Sequence, residues 1–117
     1  MFEQFDPALV VKPVAPEEGE QSLCLKVVGR LAGDSAHLLR RAVDPAFSSP
    51  KPPKVRLLMD GVQYMDSTGV GVIVAIIQQM RHRGGKLEIC GLSEVGRQLF
   101  QILRLTTLSE YVSFPTS

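Results

Sequence analysis

The residues of this chain best suited to chemistry stand together in Met65-Asp66-Ser67-Thr68-Gly69-Val70-Gly71, an acid and two hydroxyls followed by two glycines. A nucleophilic serine needs a base within hydrogen-bond reach. The chain has two histidines, His37 and His82. If the residues after Ser67 are helical, a rise of about 1.5 Å per residue puts His82 more than about 20 Å away, and His37 belongs to a separate segment. Met65 also occupies the position where the G-x-S-x-G elbow of hydrolases has its first glycine. An aspartyl dyad needs its glycine closer to the acid than Gly69 is to Asp66. A phosphate-cradling loop is absent as well: there is no G-x-x-x-x-G-K-[ST], and Gly84-Gly85-Lys86 leads into an extended run. Cys24 and Cys90 lie far apart in apolar runs with no Cys-x-x-Cys pair, so they read as free buried thiols of a reducing cytoplasm rather than metal ligands. Neither a catalytic residue nor a metal or cofactor site is expected.

Two other uses of the motif remain open. Asp66 and Ser67 are favoured helix-capping types, offering oxygens to the unpaired N–H groups of a first turn. A serine at a helix start is also well placed to carry a phosphate, because the dipole and the N–H groups there stabilise added negative charge. The helix that follows is apolar on more than one side. Val70, Ile73, Val74, Ile77 and Met80 form one stripe, and Val72 and Ile76 point nearly opposite with Ala75 beside them. A surface helix needs a single stripe. The second stripe either packs under another element of the same chain or meets a partner.

The elements that must position this motif follow from apolar periodicity. Residues 9–14 and 22–28 read as two strands of a hairpin joined through Ala-Pro-Glu-Glu-Gly-Glu. Residues 35–43 read as a short amphipathic helix capped by Asp34 or Ser35. A Pro- and Ser-rich loop then leads to a buried strand at 55–59, closed by Asp60-Gly61. A helix over 68–83 ends in Arg81, His82 and Arg83 before Gly84-Gly85, where basic charge complements the dipole. Residues 86–90 form a strand. A helix capped by Ser93, with Val95, Leu99 and Ile102 as its stripe, runs to about residue 103, and 111–114 suit a last short strand. Strand–helix–strand units with short links imply an α/β fold with a largely parallel or mixed sheet of four to five strands and helices packed on it.

Composition narrows the function classes. The 117 residues suit one domain spanning 1–117, and 44% hydrophobic content is enough for a core. The net charge of +1 argues against nucleic acid as partner. The longest apolar run, Val70–Ile77, is far shorter than the roughly 20 residues that span a bilayer. The acidic start lacks the basic region of a secretory signal. A soluble cytoplasmic protein without membrane insertion is expected.

Val55–Val74 (VRLLMDGVQYMDSTGVGVIV) resembles the core of STAS-domain anti-sigma-factor antagonists. Their pattern is an apolar strand closing in Asp, a short link, then an aromatic or apolar residue before Asp-Ser-Ser/Thr-Gly-apolar-Gly. Asp60, Tyr64, Met65, Asp66, Ser67, Thr68, Gly69 and Gly71 fit it, and the likeness runs over roughly 20–114, including "LSEVGRQLFQILRL". The resemblance implies a STAS domain whose unphosphorylated form binds an anti-sigma factor and frees the sigma factor. It implies that the anti-sigma factor is also an ATP-dependent serine kinase, that phosphorylation at Ser67 releases the complex, and that a phosphatase restores binding. Thr68 is the secondary acceptor. Asp66, Ser67, Thr68, Gly69, Val72, Ile76 and Arg30 make up the implied partner-binding set, in a protein that is a monomer or weak dimer. The family often carries acids after its second strand, where this chain has Gly29-Arg30-Leu31-Ala32. Arg30 there could pair with a phosphate or with Asp66, or it could repel the usual partner. The alternative role within the same family is a non-switching adaptor subunit of an ABC-type lipid transport system or a signalling scaffold.

Overall fold

The computed structural model describes residues 8–16, 22–91 and 112–113. Five strands form one sheet: β1 (Leu9–Val14), β2 (Leu23–Leu31), β3 (Lys54–Met65), β4 (Lys86–Cys90) and β5 (Val112–Ser113), hydrogen-bonded in that order. β1 pairs antiparallel to β2, as the hairpin reading requires, and β2, β3, β4 and β5 are mutually parallel. The sheet is therefore mixed, and the expected α/β class holds. The expected helix after Ser93 and most of the β1–β2 turn lie outside the described residues.

Alternation along the strands decides which face is buried. Leu25, Val27, Val55, Leu57, Met59, Leu87 and Ile89 point to one face and join a single core cluster with helix residues. Lys26, Arg56 and Glu88, from alternate positions, stay exposed or half-buried. Helices α1 (His37–Val43) and α2 (Ser67–Arg83) cover the apolar face: Leu39 and Val43 of α1 and Ile73, Ile76, Ile77 and Met80 of α2 are fully buried in that cluster. Burying one such side chain contributes about 1.5–3 kcal/mol, so the two helices and the sheet hold one another in place.

β2 and β3 extend further than their apolar runs suggest. Gly29 and the Asp60-Gly61 pair read as strand ends, yet both strands continue to the edge that bears the motif. Gly29 explains this. It has φ +111°, and a Cβ there would lie 2.5 Å from the Ala8 carbonyl oxygen. With no side chain it lets β2 pass close to Ala8, and the irregularity falls on β3, which carries one extra residue between the partners of Lys26 and Val28 and another between those of Gly29 and Arg30. β2 then continues, with Arg30 opposite Tyr64 and Leu31 opposite Met65.

The first helix also starts differently. A 3-10 turn, Gly33–Ala36, precedes α1, and neither start carries a side-chain cap, so Asp34 and Ser35 do not cap as expected. The cause lies in β3's successor residue, Asp66, which supplies an acceptor to this turn from across the sheet edge. At the other end of the layer, Arg83 in the last turn of α2 donates to the carbonyls of Phe47 (2.8 Å) and Ser49 (2.5 Å), fastening the Pro- and Ser-rich loop.

Candidate functional site

The parallel strands β2 and β3 end side by side, and α2 begins there. Asp66 sits between β3 and α2 with extended backbone (φ −112°, ψ −174°) and is the N-cap of α2. Its Oδ1 accepts from the Gly69 N–H at 2.9 Å. Its Oδ2 accepts from the Gly33 N–H at 3.1 Å. The Asp66 N–H itself donates to the Leu31 carbonyl at 3.4 Å. One aspartate therefore joins the end of β2, the 33–36 turn and the first turn of α2. The Gly69 N–H bond holds this carboxyl below its usual value of 3.8; partial desolvation opposes that, and the Gly33 bond reinforces it.

Gly69 is buried because the helix start presses on the end of β2: a Cβ at this position would meet the Leu31 carbonyl oxygen at 1.9 Å. Gly71, two residues on, is exposed and has nothing within 4 Å of where a Cβ would stand. The first glycine of the motif is thus demanded by packing, whereas the second is not.

Ser67 is the first residue of α2 and is exposed. Thr68 is half-buried. Among the described residues neither hydroxyl makes a side-chain hydrogen bond, and no set of three metal-ligating side chains is assembled. His37 and His82 are exposed on α1 and near the end of α2.

Arg30 is exposed on the last part of β2, and its guanidinium carbon lies 4.7 Å from the centroid of the Tyr64 ring on β3. It does not reach Asp66, whose oxygens are taken by backbone N–H groups. Tyr64 is 48% exposed.

Val72 and Ile76 are corrected. They are 5% and 0% exposed and belong to the core cluster, so they offer no docking face. The physical reason is α1, which packs against α2 and converts its second apolar stripe into interior. What α2 leaves at its surface near the motif is Ser67 and Gly71, with half-buried Thr68, Val74 and Ala75.

Sequence reasoning brought Asp66, Ser67 and Gly69 together, and the structure keeps them so. It gave no role to Gly33, bonded to Asp66, or to Tyr64 beneath Arg30. Both contacts depend on the register of β2 against β3, and no local spacing signals them. Among the described residues neither cysteine forms a disulfide, Cys24 being buried and Cys90 half-buried on β4. Burial pushes the Cys90 thiol up, with the Arg56 charge opposing.

Comparison with known proteins gives this arrangement its relatives. Residues 12–116 match the model of the STAS domain. An anti-sigma-B factor antagonist of Bacillus subtilis (strain 168) is 32% identical over 89 residues, covering 76% of this chain and 80% of the relative. One from Listeria monocytogenes is 38% identical over 58 residues, 50% of this chain and 48% of the relative. Among solved structures, an anti-sigma factor antagonist from Mycobacterium paratuberculosis aligns with a TM-score of 0.71 at 15% identity, covering 97% of this chain and 92% of that one. The Bacillus cell fate determinant SpoIIAA in its phosphorylated form aligns with a TM-score of 0.66 at 18% identity, over 94% and 93% of the two chains. Among the described residues no helix is long and apolar enough to cross a membrane.

Proposed function

The chain belongs to the STAS-domain family, and from that premise we propose that it is an anti-sigma-factor antagonist switched by phosphorylation at Ser67. The unphosphorylated protein binds an anti-sigma factor, which frees the sigma factor. That anti-sigma factor is also a serine kinase. It transfers the γ-phosphoryl group of ATP to the Ser67 hydroxyl, releasing ADP and a proton, and the modified protein dissociates. A phosphatase hydrolyses the phosphoserine and resets the switch. The whole chain acts in the cytoplasm as one STAS domain and catalyses no reaction itself.

The observation that carries this reading is the position of Ser67. It is exposed at the first residue of α2, while Asp66 beside it holds the backbone on both sides. A phosphate there adds about −1.5 to −2 of charge to a surface that needs no refolding to accept it. Pressed against a partner, that charge is desolvated and unmatched, which costs several kcal/mol. Asp66 adds a like charge close by.

The test is phosphorylation by the anti-sigma kinases of the same genome with ATP, read by intact mass. One phosphate should appear on the wild type and on Thr68→Ala, and none on Ser67→Ala. A phosphate that persists in Ser67→Ala refutes the Ser67 assignment. A pull-down that recovers a transporter ATPase and no anti-sigma kinase refutes the antagonist role in favour of the adaptor.

A further inference from the structure

The stacked pair Arg30–Tyr64 has no part in holding the core, yet it is built with care. The Arg30 backbone is fixed on both sides: its N–H donates to the Ala8 carbonyl, and it sits opposite Tyr64 in the β2–β3 register. Its guanidinium lies over the Tyr64 ring at 4.7 Å, a geometry of favourable cation–π attraction. Both side chains are nevertheless exposed, Tyr64 at 48%. Among the described residues no acidic side chain lies within ion-pair distance of Arg30. The result is a preordered positive charge on an aromatic platform, with no acidic partner among the described residues.

Its place matters. Tyr64 is three residues before Ser67, and with consecutive Cα atoms about 3.8 Å apart the two can be no more than about 11 Å from one another. A standard interface covers about 800 Å² of each partner, a disc of about 16 Å radius. A partner centred on Ser67 therefore covers Tyr64 and the arginine stacked on it. Arginine and tyrosine are the residue types that most often dominate such interfaces. An arginine covered without a matching group loses its water for nothing in return, which no stable complex tolerates.

Resting on the antagonist reading, we propose that Arg30 and Tyr64 form the specificity-determining part of the partner-binding surface, and that the anti-sigma factor bound by this protein places a carboxylate against Arg30. Tyr64 holds the guanidinium in the orientation that the carboxylate meets. An anti-sigma factor with a basic side chain at that point is rejected by like-charge repulsion.

The experiment measures binding of the unphosphorylated protein to each purified anti-sigma kinase of the same genome by calorimetry. Arg30→Glu should weaken the complex at least about thirtyfold and Tyr64→Ala about tenfold. Arg30→Lys, which keeps the charge and loses the planar fork, should fall between Arg30→Glu and the wild type. Changing the facing acid of the kinase to arginine should recover binding to Arg30→Glu. Both sites are exposed, so thermal midpoints should match the wild type and exclude misfolding. Wild-type binding with Arg30→Glu within about twofold overturns this proposal and leaves the antagonist role standing. Failure of the wild type to bind any of the kinases overturns that role, and this proposal with it.

Discussion

Asp66 holds the site with two oxygens, and the chemistry of a carboxylate sets where that hold weakens. Its folded form is favoured as the anion, because the Gly69 N–H chiefly, and the Gly33 N–H as well, donate to it. A carboxyl with a depressed folded value stabilises the fold above its unfolded value of 3.8, and that contribution is lost as pH falls below it. Asp66→Asn should therefore lower the urea midpoint at neutral pH, and the gap to the wild type should narrow as the pH is taken below about 4. A gap that stays constant across the acid range would mean that the charge of Asp66 is irrelevant. The two glycines of the motif separate just as cleanly. Gly69→Ala drives a methyl into the Leu31 carbonyl, at 1.9 Å before relaxation, and should cost about 3 kcal/mol or prevent folding. Gly71→Ala meets nothing within 4 Å inside a helix and should stabilise by about 0.5–1 kcal/mol. Thermal unfolding of the pair checks both signs.

At the scale of elements, α2 is a helix whose second apolar stripe belongs to the core, not a docking helix with two free faces. Ile76 is fully buried in the core cluster, so Ile76→Ala should cost about 2–5 kcal/mol through lost burial and the cavity left behind. The folded fraction should bind its partner as tightly as the wild type does, measured at a temperature where both remain folded. A loss of affinity beyond the unfolded fraction would restore Ile76 to the interface. The same elements show what the sequence made legible. β1 and β4 matched their apolar runs residue for residue, because each is a short run bounded by turn residues. α2 began one residue early, at Ser67, because Asp66 caps it as its residue type suggests. β2 and β3 were read short. A glycine inside a strand and a glycine that ends one look alike until the partner strand is known, and only pairing with β3 shows that β2 continues through Arg30. The hold of Asp66 on Gly33 and the stacking of Arg30 on Tyr64 were illegible for the same reason. Each joins residues more than thirty apart through a parallel register. The burial of Val72 and Ile76 was left undecided by periodicity, which counts apolar faces and cannot say whether α1 or another protein covers the second.

At the scale of the molecule, the proposed switch must change association without changing the fold. The net charge is +1, so a phosphate of about −2 reverses the sign of the whole chain as well as that of the patch around Ser67. The fold is shared with SpoIIAA structures in both the unphosphorylated and the phosphorylated form. Exposed substitutions away from packed groups usually stay within about 0.5 kcal/mol, which for a chain of this size is a shift of roughly 2–4 °C. The acidic mimic Ser67→Asp gains from the helix dipole and loses through repulsion from Asp66, two small effects of opposite sign. Its thermal midpoint should therefore lie within about 3 °C of the wild type, while its affinity for the anti-sigma factor falls at least about tenfold. Salt then separates the causes. Raising ionic strength from about 0.15 M to 1 M shortens the screening length from about 8 Å to about 3 Å. If long-range repulsion drives release, affinity of Ser67→Asp should recover toward the wild type in high salt. If desolvation of a charge locked in the contact drives it, the deficit should persist, because screening does not reach a dry interface. The exposed first-turn position of Ser67 favours the second outcome, since the partner must close over the added charge. A Ser67→Asp variant that binds like the wild type at both salt concentrations would show that negative charge at this position does not control the complex.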